Sequence, residues 1–248
     1  MPLDPSTRLH NRYRIDRLHK LGSMGAVYLA FDLELNVPVA LKENLVSGLE
    51  YALQFRREAQ YLSTFRHPNL PRATDHFVIE GQGQYSVMSF IEGTTALEWT
   101  ASASKTPLEV ISALEGVFEA LMYIHSLTPP LIHRDVEPTN IIISNDLISF
   151  LVDFGLAKLL ADTSAPGATD ALSDQYSLAA TIYDLVTHQP PANSLQRALG
   201  NEVLQPAGTL NPAVPRHVDA ALGRALSIKA EDRYPDIEVF WQALTHEA

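Results

Sequence analysis

Cysteine is absent from all 248 residues, which excludes disulfides, thiolate metal centres and a cysteine nucleophile. Basic residues are scarce: 18 Lys and Arg stand against 29 Asp and Glu, for a net charge of −11. A surface of that sign repels polyanions, which speaks against nucleic acid and anionic membrane as partners. Long apolar runs are missing too. None approaches the ~20 residues of a membrane-spanning helix, and Met1-Pro2-Leu3-Asp4 does not begin a signal-peptide pattern. No segment repeats and none is of low complexity. The expectation is a soluble, cytoplasmic protein. A chain of 248 residues makes one large domain or two small lobes, and it buries roughly 70–75% of its unfolded surface, so it needs no crosslinks to fold.

What is present falls into two halves. The first ninety residues read as strands around one helix. Strands are expected at Tyr13 to Leu21, Ala26 to Phe31 and Val37 to Lys42, the last with Val37, Val39 and Leu41 on one face. Phe77 to Ile79 and Tyr85 to Met88 follow, flanking a Glu80-Gly81-Gln82-Gly83 turn. Phe55, Ala59, Leu62 and Phe65 recur at helical spacing, and His67-Pro68 ends that helix. After Glu92-Gly93 the pattern turns helical. Thr106-Pro107-Leu108-Glu109 is a capping box with Pro at the first helical position. Ile111, Leu114, Val117, Phe118, Leu121 and Ile124 then form one long apolar stripe. Later helices are expected at about 174–187, 215–226 and 235–244. The chain is therefore α+β: residues 1–88 carry a five-stranded sheet and one helix, 89–93 are a joint, and 94–248 are mainly helical. A two-lobed design favours a ligand between its halves.

Lys42 shares a strand face with Ala40, opposite Val39 and Leu41. Alone, it reads as a solvent-facing lysine. Glu58, however, sits on the apolar stripe between Phe55 and Leu62, where an unpaired carboxylate is costly, and Lys42 on the neighbouring strand can supply the cation. Gly22 and Gly25, within Lys20-Leu21-Gly22-Ser23-Met24-Gly25-Ala26-Val27, suit any tight hairpin. The run His133-Arg134-Asp135-Val136-Glu137-Pro138-Thr139-Asn140 leads into two short apolar strands, Ile141 to Ile143 and Phe150 to Val152, around a Ser144-Asn145-Asp146 turn. Asp153-Phe154-Gly155 comes next. Asp135, Asn140 and Asp153 are hard oxygen groups of the kind that magnesium takes.

From about Tyr13 to its end the chain resembles bacterial eukaryotic-like (Hanks-type) serine/threonine protein kinases. Val39-Ala40-Leu41-Lys42 is close to the family's V-A-I-K, residues 133–140 to its catalytic loop and 153–155 to its D-F-G. Phe55-Arg56-Arg57-Glu58-Ala59, His67-Pro68-Asn69-Leu70, Asp174-Gln175-Tyr176-Ser177-Leu178 and Asp232-Arg233-Tyr234-Pro235 match further landmarks. The resemblance implies a protein kinase-like bilobal fold with ATP and Mg²⁺ (or Mn²⁺) as cofactors. It implies Asp135 as the base that accepts the substrate hydroxyl proton, and Asn140 and Asp153 as metal ligands. Lys42, held by Glu58, would grip the α- and β-phosphates, and Gly22 and Gly25 would belong to the loop closing over them. Val27, Ala40 and Ile142 would sandwich the adenine, with Met88 behind it and the backbone of Ser89 and Ile91 at its edge.

Three departures from the family pattern stand out. Glu137 replaces a lysine that assists the γ-phosphate, and losing one such stabiliser typically costs on the order of 10²–10³ in rate; an outward-turned Glu137 would soften that. Only eighteen residues separate Gly155 from Asp174, with no A-P-E motif and no peptide-docking loop. Arg233 is then expected to be orphaned or re-paired and Arg134 to lack a phosphate partner, with Thr163, Ser164 and Thr169 as phosphoacceptor candidates or plain loop residues. Lys20 takes the place of the first loop glycine and should stiffen the loop. The implied function is transfer of the γ-phosphate of Mg-ATP to a protein hydroxyl. One alternative is a pseudokinase serving as a nucleotide-binding signalling scaffold, favoured by Glu137 and the missing A-P-E. Another is a small-molecule phosphotransferase, favoured by the deletion. The partner in the first two cases is a protein substrate or signalling protein.

Overall fold

A computed structural model describes residues 2–22, 25–46, 48–128, 130–154 and 171–246, without the side chains of Leu49, Glu50, Gln54 and Glu58. These residues form two units, one running to Ile91 and the other beginning at Glu92.

The first unit is a six-stranded antiparallel sheet in the order β1-β2-β3-β4-β6-β5. Its strands are β1 (Arg8–Leu9), β2 (Tyr13–Leu21), β3 (Gly25–Asp32), β4 (Val37–Asn44), β5 (Ala73–Ile79) and β6 (Gly83–Ser89), with helix α1 (Leu49–Thr64) between β4 and β5. The sheet thus has six strands and not the expected five. The extra strand, β1, is two residues long, too short to leave an alternating pattern. One face of the sheet carries Tyr13, Ile15, Ala26, Tyr28, Ala30, Val39, Leu41, Phe77, Tyr85 and Val87, closed over by Leu9 and Leu3. Glu43 also lies on this buried face; its carboxylate accepts from Tyr28 Oη at 2.6 Å and Tyr85 Oη at 3.3 Å. Burial pushes both phenols up, to about 12. The opposite face carries Val27, Ala40, Lys42 and Met88, since Val27 pairs with Lys42 and Ala40 with Met88 across the strands.

Asp32 locks the β3–β4 turn. Its Oδ1 accepts from Glu34 N (3.0 Å) and Leu35 N (3.1 Å), while Arg12 grips both oxygens at 2.9 and 2.7 Å. The Arg12 guanidinium, aided by the two backbone donors, holds this carboxyl below its ordinary value of 3.8. A depressed carboxyl contributes stability above its unfolded pKa and loses it as pH falls through the folded one. Asp32→Asn is therefore expected to cost about 2 kcal/mol near neutrality. The gap from wild type should close in acid unfolding curves below the ordinary value of 3.8. A gap that persisted at lower pH would mean that Asp32 acts through shape and not charge.

The second unit opens with a three-stranded sheet, β7 (Thr94–Thr95), β8 (Ile141–Ile143) and β9 (Ser149–Leu151), in the order β7-β8-β9. A Cβ on Gly93 would lie 2.3 Å from Ile143 O, so only glycine lets β7 approach β8. The helices are α2 (Ala96–Ser102), α3 (Pro107–Ala113), α4 (Glu115–Ser126), α5 (Ala171–Thr187), α6 (Ser194–Ala198), α7 (Ala207–Leu210), α8 (Arg216–Ala225) and α9 (Ile237–Thr245). The capping box at Thr106/Glu109 forms, and a second one forms at Thr95/Glu98. The apolar stripe from Ile111 to Ile124 is split at Leu114, whose N–H bonds back to Ile111 O in a tightened turn. The stripe nevertheless stays continuous, since Leu114 and Val117 on either side of the break are both buried. In the core Phe118 of α4 meets Phe240 and Trp241 of α9, at ring distances of 5.7 and 4.5 Å. Among the described residues no helix is long and apolar enough to cross a membrane.

Candidate active site

Asp174, in the first turn of α5, organises the loop that precedes the strands β8 and β9. It is fully buried and its carboxylate takes three donors: His133 N at 2.7 Å, Arg134 N at 2.7 Å and the Nε2–H of His125 at 2.8 Å. A buried carboxylate so satisfied is stable in place, and it fixes the backbone of the two residues before Asp135. Two helical turns further on, Thr181 Oγ1 donates to Val136 O at 3.1 Å, behind the buried Val136 side chain. Arg134 is held at φ 69°, a left-handed conformation that a non-glycine residue keeps only under such constraint.

Asp135, half-buried, is thereby presented with Asn140 beside it. Asn140 is fully buried, and its Nδ2 donates to both Asp135 O and Asp135 Oδ2 at 3.0 Å. With the amide nitrogen turned to Asp135, the amide oxygen on the far side of the same planar group is oriented as a hard-oxygen donor. Asn140 O in turn accepts from Val152 N at 2.9 Å, which ties this loop to the end of β9. Asp153 follows at once, at φ 61°. Phe154 after it is buried, with its ring 4.4 Å from that of His133. Asp153 is thus clamped from both sides: by the Val152 hydrogen bond and by Phe154 packing. The structure brings Asp135, Asn140 and Asp153 into one connected set. Among the described residues no group of three His, Cys, Asp or Glu side chains could hold a metal. The residues fit a metal of the magnesium type, which takes one or two protein ligands and fills the rest of its shell with water and phosphate oxygens.

Glu137 is exposed, and its Oε1 accepts a hydrogen bond from Thr139 Oγ1. Arg134 is 8% exposed, and its Nε and Nη1 are buried without a hydrogen-bond partner; desolvation lowers its pKa, against the pull of Asp174. Arg233 is re-paired, as one of the two expectations had it. Its Nε, Nη1 and Nη2 donate to the carbonyls of Ser227 (2.8 Å), Leu172 (2.8 Å) and Ile228 (3.1 Å), and its guanidinium lies over the Tyr176 ring. Gly155, Thr163, Ser164 and Thr169 lie outside the described residues.

In the first unit, Lys42 and Ala40 are half-buried on the β4 face that also carries Val27 and Met88. Phe55 of α1 packs on His76 of β5, with rings 5.9 Å apart, and His76 pairs across the sheet with Ser86, itself paired with Lys42. Helix α1 therefore covers the face that bears Lys42. The Glu58 side chain is outside the described set. A Cβ on Gly25 would lie 2.4 Å from Glu43 O, so close approach of β3 to β4 requires that glycine, and Gly22 N donates to Gly25 O at 2.9 Å. Ser89 and Ile91 are half-buried at the end of this unit, and Ile142 is buried on β8 of the second.

A protein kinase domain model matches residues 16–213. The chain belongs to the protein kinase domain family. Among curated protein kinases, the serine/threonine-protein kinase PknB of Mycolicibacterium smegmatis is 31% identical over 261 aligned residues, covering 91% of this chain and 41% of the relative. The serine/threonine-protein kinase PrkC of Bacillus subtilis is 29% identical, covering 93% and 40%. The chain thus spans about two fifths of the length of these relatives. Among solved structures, the PknI kinase domain of Mycobacterium tuberculosis superposes with a TM-score of 0.79 at 27% identity, covering 98% of each chain. PpkA-294 in its apo form gives 0.79 at 25%, covering 98% and 99%. The fold is the protein kinase-like one, with a sheet-rich first lobe and a helical second lobe.

Sequence reasoning marked Asp174 only as a landmark and missed His125, Thr181 and the role of Gln175. Gln175 is fully buried; its Nε2 donates to Tyr234 O and Asp236 O, and its Oε1 accepts from Tyr234 N. A signal was available for Asp174 and Gln175: a carboxylate and an amide side by side on a largely apolar helix need partners, the same reasoning that singled out Glu58.

Proposed function

We propose that this kinase domain transfers the γ-phosphoryl group of Mg-ATP to a serine or threonine hydroxyl of a protein. The observation that carries the reading is the double hydrogen bond from Asn140 Nδ2 to Asp135, continued through Val152 to Asp153. It supports a base, two metal-binding oxygen groups and their relative order in a single rigid set.

In this reading the acceptor oxygen forms a bond to the γ-phosphorus while the bond from that phosphorus to the β-γ bridging oxygen breaks, ADP keeping the electron pair. The hydroxyl proton passes to the Asp135 carboxylate. Asn140 and Asp153 would hold Mg²⁺ or Mn²⁺, and the ion would supply positive charge against the phosphate oxygens. Lys42, supported by Glu58, grips the α- and β-phosphates, and the Gly22–Gly25 turn covers them. Val27, Ala40 and Met88 of the first unit would meet the adenine, with the backbone of Ser89 and Ile91 at its edge. Residues 1–88 then act as the nucleotide lobe, 89–93 as the hinge and 94–248 as the substrate lobe, in the cytoplasm where ATP is available.

Lys42→Met provides the test. Wild type is expected to label protein substrate from γ-labelled ATP with Mg²⁺ or Mn²⁺, and the variant to lose at least 10²-fold of that rate together with the thermal shift that Mg-ATP gives wild type. Equal shifts and equal rates in the two proteins would refute the nucleotide site.

A further inference from the structure

The loop that carries Asp135 has an exposed carboxylate, Glu137, two residues after it. Along the loop, Asp135 is half-buried, Val136 is 4% exposed and Glu137 is exposed. Backbone at Glu137 is extended (φ −140°, ψ 160°), and extended chain sends alternate side chains to opposite sides. Val136 is turned into the protein and its carbonyl is tied to Thr181, while the residues on either side of it, Asp135 and Glu137, both keep access to solvent. Glu137 makes no ion pair among the described residues, and its one fixed contact is the Thr139 hydroxyl, a neutral donor that orients the carboxylate without neutralising it. Around it the chain as a whole carries a net charge of −11. A hydroxyl approaching Asp135 therefore passes a fixed, uncompensated negative charge two residues away in sequence.

We propose that Glu137 is a specificity-determining residue: the chain favours a serine or threonine that has a Lys or Arg close beside it. The substrate's cation pairs with Glu137 and neutralises its charge, in the complex only. An acidic neighbour is rejected by the same carboxylate, so attraction and repulsion act together. This inference rests on the phosphotransfer reading above.

The test uses two peptides identical except for Arg or Glu flanking the acceptor, assayed for kcat/KM with wild type, Glu137→Gln and Glu137→Lys. Wild type is expected to favour the Arg peptide by roughly three- to tenfold, the scale of an exposed ion pair plus the matching repulsion. That ratio should shrink as salt rises, fall toward unity in Glu137→Gln and invert in Glu137→Lys. A purely structural role for Glu137 would lower both rates and leave the ratio unmoved. Labelling with the same Arg/Glu ratio in wild type and Glu137→Gln overturns the inference alone. If wild type labels neither peptide although Mg-ATP still raises its Tm, the phosphotransfer reading fails and the inference fails with it.

Discussion

Asp135→Asn is expected to lower single-turnover phosphoryl transfer by about 10²–10⁴-fold while leaving ATP affinity and Tm nearly unchanged. The substitution removes the group that takes the hydroxyl proton but keeps an oxygen in the place where Asp135 Oδ2 accepts from Asn140. The main-chain bond from Asn140 Nδ2 to Asp135 O is untouched, as are the anchors at His133 and Arg134. Little folding energy is therefore at stake. The measurement is transfer from γ-labelled ATP in one turnover, with the Mg-ATP thermal shift recorded on the same samples. A variant as fast as wild type would remove Asp135 from the role of base. A variant that also lost the thermal shift would show that the substitution had disturbed the site beyond the proton acceptor.

The opposite pattern is expected for Asp174→Asn. Here the chemistry is remote and the structural effect is large. The carboxylate accepts from His133 N and Arg134 N through different oxygens, with His125 sharing one of them. An asparagine offers a single acceptor oxygen, so its amide nitrogen would face a backbone N–H and leave that buried donor unsatisfied. Each such loss costs about 1–3 kcal/mol, and the full set amounts to roughly 3 kcal/mol. For a chain of this size that corresponds to a fall in Tm of about 6–12 °C. Transfer should fall too, because the backbone leading into Asp135 is released. Calorimetry or a thermal melt decides the matter: a shift under about 2 °C would mean that the loop is held by something other than Asp174. Asp135→Asn and Asp174→Asn thus separate a residue that acts on substrate from one that acts on the loop.

Residues with local causes were legible beforehand. The strands of the first unit follow from alternation, and the helix over 49–64 from the recurrence of Phe55, Ala59 and Leu62. The cap at Thr106 is a four-residue pattern that forms as read. Asp135, Asn140 and Asp153 were identifiable because their residue types and spacing are demanded by one chemistry. Where reading failed, the cause was short or non-local structure. Strand β1 is two residues long and exists only because β2 offers its edge. Helix α2 and strand β7 were passed over although Thr95 and Glu98 carry the same capping signal as Thr106 and Glu109, since a seven-residue helix leaves little periodicity.

The sequence by itself determined the family, the α+β class and the set of polar residues that chemistry needs, because those depend on residue type and on periodicity within a few turns of chain. Tertiary structure alone decided how that set is held and which way its odd member faces. His133 and Arg134 are anchored by Asp174, 40 and 41 residues away, and Thr181 reaches Val136 across 45. Arg233 reaches Leu172 O across 61 residues. No local pattern encodes such pairs, since a buried donor finds its acceptor only after the helices have packed. Glu137 belongs with them: its charge is written in the sequence, but its outward direction follows from the burial of Val136 and the bond to Thr139.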